Sequence, residues 1–557
     1  MITIQNPKDL EDNNLSLLRQ NMLDNDPAYN NILNRTKEFY EELLNKGFLD
    51  RPYQAEFAAL YALRRNNICA LSMGLGKTII SGLLICTLYS DKLKYFRPGA
   101  IQIIAPSNLS ITSRWIEDLK KLSLLEQYLE VIINPKQLTE SKQPIWLYTH
   151  DFLKRKSKRK KGTIAKELKK RGLSPNLLIV DEAHHFKKGS QRSVNLEILR
   201  QKTKRVLLLS GTISDGRLDL LSYLCQLTYG AMWKYSDKEF KNKFGVKKNL
   251  SSHYLYGSNN LNSSGKSLQS FNSNTIAEYY ELIQTYLHRA SHSDPNIFPY
   301  VSFPERNTVV RSITPHQDHK RVYTESVNHR LSLIEKLLES ESKRQVTEQA
   351  LEILNSLLQL SSTPPKGIQN NKMLSLLDFV KDYSQQGKKT AIFIRAVRSG
   401  REITNELYKA FSQDRVIRLY AQDSNFIPPK QTNDQRNKVL NKFLFDPNVI
   451  VGVFSYKLCS ESINLTSAEQ IILYDYPWSS VEVAQGVHRV IRPGHVSGFV
   501  KEVFLYNEGF IDEHQINLLS EKITSNSLLL DLDSDANNIS KSDKIDINQI
   551  LSKLLKN

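Results

Sequence analysis

Short apolar runs recur along this chain, separated by polar or helix-patterned sequence, and they fall into two series. In the first, residues 68–71, 101–105, 145–148, 177–180 and 206–209 are four- or five-residue runs dominated by Ile, Leu, Val and Tyr. Runs of this length without strict alternation predict strands buried on both faces, and the helical stretches between them predict crossovers. The series therefore reads as a parallel sheet in an α/β domain. Residues 391–394, 416–420, 449–454, 471–474 and 500–506 form a second series of the same character.

The region between the series breaks the rhythm. Fourteen of the 27 residues at 249–275 are Asn or Ser, which predicts a surface loop. Residues 317–363 contain no Gly or Pro and carry Leu and Ile at helical spacing, predicting one long helix or a helical pair closed by Pro364-Pro365. Upstream, residues 1–30 are polar and residues 32–44 are patterned as a helix that stops near Gly47. The expected plan is a leader and helix (1–47), an α/β nucleotide-binding domain (48–227), a helical insertion or linker (228–372), a second α/β domain (373–510) and a tail (511–557) with a final amphipathic run at 547–555.

At 557 residues the chain suits two to four domains. Its net charge of +18 points to a polyanionic partner, and the charge is local. Residues 153–172 hold eleven Lys or Arg against one acid, Glu167, a net +10. That tract suits phosphate-backbone contact, a solvated helix face, or a nuclear localisation signal. Four widely spaced cysteines (Cys69, Cys86, Cys225, Cys459) suggest neither a disulfide framework nor a zinc site and read as buried thiols. No apolar run approaches the roughly 20 residues that cross a bilayer, so no membrane association is expected. A soluble protein that is not secreted, cytoplasmic or else nuclear in a nucleated cell, is the expectation.

The candidate chemistry begins at Ser72-Met73-Gly74-Leu75-Gly76-Lys77-Thr78, between a strand-like run and an apolar helical segment. A strand–loop–helix context with Gly-Lys-Thr binds phosphate: Gly74 and Gly76 allow close backbone approach, Lys77 adds a point charge, and Thr78 offers a hydroxyl to magnesium. Asp181-Glu182-Ala183-His184 directly follows the run 177–180, placing carboxylates at a strand's C-terminal end. Asp181 suits the metal ion, and Glu182 the orientation of a water that attacks the γ-phosphate. Ser210-Gly211-Thr212 ends the next strand, where small hydroxyl residues suit a relay of nucleotide state. Far downstream, Gln485-Gly486-Val487-His488-Arg489-Val490-Ile491-Arg492 spaces two arginines at i and i+3, predicting one helical face that presents guanidinium groups to a γ-phosphate. Each motif alone is also a tight turn, a helix cap or a surface basic pair; their joint occurrence in this order points to ATP hydrolysis.

Taken together these residues resemble the Swi/Snf-like ATPases of helicase superfamily two over roughly residues 49–506. Met73-Gly74-Leu75-Gly76-Lys77-Thr78 has that family's form of the phosphate loop. Arg51-Pro52-Tyr53-Gln54 resembles its adenine-side motif, with Gln54 as the base reader. The DEAH stretch with Lys187-Lys188, Leu209-Ser210-Gly211-Thr212, Ile313-Thr314-Pro315-His316-Gln317 with Tyr323, Asp434-Gln435-Arg436, Asn464-Leu465-Thr466, Asp475-Tyr476-Pro477-Trp478 and residues 485–492 follow in family order.

The resemblance implies two RecA-like lobes that close on ATP and Mg²⁺ and move along one strand of duplex DNA. Lys77, Asp181, Glu182, Gln485, Arg489 and Arg492 would be its catalytic residues. Arg51, Gln54 and residues 73–78 would bind nucleotide, and Thr78 and Asp181 the metal. Double-stranded DNA is the expected partner, with a protein partner supplying specificity. Leu71-Ser72 stand where the family has an acidic pair, Ile213 replaces a proline, and Cys459-Ser460-Glu461-Ser462-Ile463 replaces a glycine-rich segment. A strand-separating DNA or RNA helicase and a non-hydrolysing DNA-binding scaffold are the rival readings.

Overall fold

A computed structural model describes residues 26–106, 115–155, 163–211, 213, 218–244, 273–291, 294–340, 343–420, 433–456 and 463–530. The chain divides into two compact units, chiefly Met1–Ser302 and Phe303–Thr524. Each is built on one all-parallel sheet with helical crossovers, the architecture of two RecA-like lobes.

In the first unit the strands are β1 (Asn66–Leu71), β2 (Ile101–Ala105), β3 (Leu129–Val131), β4 (Ile145–Thr149), β5 (Leu177–Val180), β6 (Arg205–Leu209) and β7 (Leu287–Ala290). Their order is β3-β4-β2-β5-β6-β1-β7. Central strands β2, β4 and β5 are buried at every position, which is why they read as largely apolar runs, Gln102 of β2 being buried and hydrogen-bonded. Two N-terminal helices, α1 (Pro27–Asn45) and α2 (Tyr53–Leu63), precede β1. Asp26 caps α1 by accepting from Ala28 N at 2.8 Å, Pro27 opens the helix, and Gly47 with φ 78° follows its end. Helix α3 (Lys77–Tyr89) follows β1, and eleven of its thirteen residues are buried, so it lies within the core rather than on it.

The second unit contains β8 (Glu305–Ile313), β9 (Lys389–Ile394), β10 (Val416–Leu419), β11 (Val451–Ser455), β12 (Ala468–Leu473) and β13 (Phe499–Asn507), in the order β10-β11-β9-β12-β13-β8. The Gly- and Pro-free stretch is a helical pair, α4 (Gln317–Ser340) and α5 (Lys343–Ser362). Its apolar side joins a small core in which the Tyr323 ring stacks on Phe510 at 3.8 Å and 6°.

Residues 228–372, read from the sequence as a helical insertion, also contribute one strand to each sheet. β7 is Leu-His-Arg-Ala and β8 carries Glu305, Arg306 and Arg311, so neither shows an apolar run. Both lie at sheet edges, where one neighbour suffices to hold a strand. The short edge strand β3 escaped the pattern for the same reason. Residues 1–25 of the leader, 249–272 of the Asn/Ser-rich tract and the tail beyond 530 lie outside the described residues.

Candidate nucleotide site

β1 ends at Leu71, and the chain turns through Ser72–Gly76 before α3 begins at Lys77. Gly74 and Gly76 adopt φ of 85° and 83°, a left-handed backbone that favours glycine. Gly76 is required twice over, because a Cβ there would stand 2.1 Å from Gln54 Nε2. Gln54 is fully buried at the start of α2 and donates from Nε2 to Leu75 O at 3.3 Å. Two neighbours grip the same loop: Tyr53 donates its phenol to Leu75 O at 3.2 Å and Arg51 Nη1 donates to Gly74 O at 3.4 Å. The Arg51–Gln54 stretch is thus both the turn that starts α2 and a clamp on the phosphate loop. Gln54 Oε1 is buried with no donor among the described residues, an acceptor suited to a base amine.

Lys77 is buried, with Nζ donating to Leu71 O at 2.9 Å and Ser72 O at 3.2 Å. Its ammonium therefore rests on the loop's own carbonyls, at the mouth of the turn. Thr78, also buried, occupies the first turn of α3.

Asp181 directly follows β5. Its Oδ2 accepts from Trp115 Nε1 at 3.0 Å, its Oδ1 from Glu182 N at 2.9 Å, and its backbone carbonyl from His150 Nε2 at 2.7 Å. Glu182 has φ 48° and is the one non-glycine residue with positive φ among those described. Such backbone strain persists where surrounding contacts fix it.

Glu182 Oε2 lies 3.3 Å from His184 Nδ1, while Ser210 Oγ lies 2.9 Å from the same nitrogen. Burial holds His184 neutral well below the ordinary histidine range, aided by the charges of His185, Lys187 and Lys77. It therefore carries one ring proton. Placing it on Nδ1 directs it to the nearer Ser210 oxygen and leaves a lone pair, not an N–H, at the buried Nε2, the less costly arrangement. Glu182 Oε2 is then buried with no hydrogen-bond partner among the described residues.

The sheet brings these pieces together. β6 lies between β5 and β1, with Val180 level with Leu208 and Leu208 level with Ile68. The two strand ends are two strand spacings apart, about 10 Å. Ser210 and Gly211 fill the gap: a Cβ on Gly211 would meet Met73 Cγ at 3.1 Å. Arg289 on β7, which no motif flagged, donates from Nη1 to Ala70 O at 2.8 Å and backs the strand that carries the loop. Leu71 and Ile213, both departures from the resembling family, are fully buried apolar residues. Thr212 lies outside the described residues.

In the second unit Gln485 and Arg489 are buried. Helix α6 (Ser480–Val487) ends before the arginines, which corrects the expectation of a shared helical face. The chain continues beyond the helix in tight turns, Arg489 N donating to Gly486 O and Val490 N to Val487 O, both at 3.0 Å. Arg492 donates from Nε to His488 O at 2.8 Å and from Nη1 to Ile463 O at 3.0 Å. Leu465 N donates to Arg489 O at 2.9 Å, tying the Asn464-Leu465-Thr466 segment to the arginine turn. Residues 457–462, which hold most of the altered segment, and the Asp434 side chain lie outside the description.

Of the basic tract, residues 156–162 are likewise outside the description. The helix Ile164–Lys170 that follows buries Ile164, Ala165 and Leu168 and exposes Lys166 and Lys170, a charged face on an anchored helix.

Comparison with known proteins decides the family. The SNF2-related domain matches residues 34–366, and the helicase conserved C-terminal domain matches residues 371–494. The chain belongs to the SNF2 family. As an SNF2-family protein it is a helicase-like ATP hydrolase.

It is 22% identical over 495 residues to the uncharacterized ATP-dependent helicase YqhH of Bacillus subtilis, covering 86% of this chain and 78% of that one. It is 20% identical over 478 residues to the mouse DNA annealing helicase and endonuclease ZRANB3, and spans 40% of that relative's length. Among solved structures, the SWI2/SNF2 ATPase core of Sulfolobus solfataricus in complex with double-stranded DNA is 22% identical, with a TM-score of 0.37, covering 90% of this chain and 96% of that one.

Within this SNF2 framework the donor set suits a hard cation, since Thr78 offers a hydroxyl and Asp181 a carboxylate oriented through both oxygens. No helix among the described residues is long and apolar enough to cross a membrane.

Proposed function

We propose that this SNF2-family ATPase is a motor on double-stranded DNA that displaces or remodels protein bound to it. The observation that carries the reading is the family match running through both units, 34–366 and 371–494, on a chain whose first unit holds a full set of nucleotide-side groups. Two further facts support duplex DNA as the track. Relatives over 85% of this chain are named DNA annealing helicase and endonuclease, and the 153–172 tract concentrates a net +10.

In this reading Gln54 Oε1 accepts from the adenine amine and Arg51 steadies the loop 73–76 against the phosphates. The Lys77 ammonium exchanges the carbonyls of Leu71 and Ser72 for phosphate oxygens, replacing hydrogen bonds to neutral carbonyls by stronger ones between opposite charges. Thr78 and Asp181 hold magnesium, which when bound neutralises phosphate charge. Glu182, its Oε2 unpaired, orients the attacking water. For Gln485, Arg489 and Arg492 of the second unit the reading keeps the catalytic role that the family resemblance implies.

The test is ATP turnover with each nucleic acid in turn. Duplex DNA is expected to stimulate hydrolysis several-fold over the unstimulated rate. Stimulation by RNA or single strands alone would overturn the duplex reading in favour of a strand-separating helicase or RNA remodeller.

A further inference from the structure

We propose that Trp115 is a positioning residue for the metal-binding carboxylate, fixing Asp181 relative to the start of α3; the inference rests on Asp181 being a magnesium ligand. Trp115 is fully buried. A buried indole N–H needs an acceptor, and here it spends its one donor on a carboxylate oxygen, Asp181 Oδ2 at 3.0 Å. With Glu182 N on Oδ1, each carboxylate oxygen has a fixed donor, so the plane of the group is set.

What makes this a link between two sites is the segment that carries the tryptophan. The turns that follow it, at 116–126, lie against α3. A Cβ added to Gly82 would meet Leu122 Cδ1 at 2.8 Å, Leu119 Cδ2 at 3.1 Å and Leu125 Cδ1 at 3.5 Å. That close approach docks the segment on the helix whose first turn holds Lys77 and Thr78. Trp115 therefore ties α3 to the end of β5 across the neighbouring sheet strands. Outer partners of this kind set metal affinity, and their loss typically costs about 10- to 100-fold.

The experiment measures ADP affinity with magnesium and with the metal chelated, in the wild type, Trp115→Phe, Asp181→Asn and the double variant. Trp115→Phe keeps the ring and removes the donor. It is expected to cut the magnesium-dependent gain in ADP affinity about tenfold, leave metal-free ADP affinity unchanged, and have no further effect in the Asp181→Asn background. An undiminished gain in Trp115→Phe, or an equal effect in both backgrounds, would overturn the proposal while leaving Asp181 as ligand. A full gain retained by Asp181→Asn would remove Asp181 as ligand and the proposal with it.

A second measurement uses the wild type and guards against a variant that does not fold. The Trp115 indole N–H resonance in ¹⁵N-tryptophan-labelled protein is expected to shift when magnesium is added to the ADP-bound form. A resonance that stays in place would contradict the assignment.

Discussion

At residue scale the sharpest constraint is at Gly76. Its φ of 83° and the 2.1 Å approach of a would-be Cβ to Gln54 Nε2 mean that Gly76→Ala both strains the backbone and pushes out Gln54, the proposed base reader. The left-handed conformation costs a non-glycine residue roughly 1–2 kcal/mol, so ADP affinity is expected to fall about tenfold or more, measured by titration. An unchanged affinity would mean that Gln54 and the loop do not share the nucleotide.

Lys77, Thr78, Asp181 and Glu182 stood out in the sequence because phosphate and metal chemistry demands particular residue types at particular spacings; the structure places the first two at the start of α3 and the other two directly after β5. Trp115, Tyr53, His150 and Arg289 were not legible, since their roles come from hydrogen bonds to residues 22 to 219 positions away. Trp115 is fully buried, as a core tryptophan would be, and only its donor's aim distinguishes it.

At element scale, the second unit is pinned by a buried ion pair between the helix Asn371–Gln385 and the helix Ile511–Leu530. Lys372 Nζ donates to Asp512 Oδ2 at 2.8 Å, with both side chains almost wholly buried, and it also lies over the Tyr474 ring at 4.9 Å. Asp512 Oδ2 also accepts from Asn507 N at 3.0 Å, at the end of β13. Removing one partner strands a buried charge, so Lys372→Met is expected to cost about 3–5 kcal/mol of the second unit's stability, with Lys372→Met/Asp512→Leu recovering much of it. Urea denaturation checks this, and a single-variant cost below about 1 kcal/mol would show the pair to be dispensable.

The central strands were readable as apolar runs because burial on both faces leaves few polar positions, hydrogen-bonded exceptions such as Gln102 apart. β3, β7 and β8 were not, because an edge strand needs hydrogen bonds from one neighbour and no apolar run. The arginine turn at 488–492 was misread as helix because i, i+3 spacing does not distinguish an α-helix from successive tight turns.

At the scale of the whole molecule, two parallel-sheet units and a strongly basic tract were both visible in the sequence. The excess charge sits largely in 153–172 and not evenly over the surface. The proposed motor couples ATP hydrolysis in the first unit to movement on duplex DNA, and the coupling is the part that distinguishes a motor from a scaffold. The direct test is displacement of streptavidin from a biotin-bearing DNA duplex, comparing the wild type with Glu182→Gln. The wild type is expected to remove streptavidin only when ATP is supplied and without separating the strands, while Glu182→Gln binds ATP and leaves the streptavidin in place. Streptavidin that stays on the duplex while the wild type hydrolyses ATP, or equal inertness of both proteins, would contradict the account.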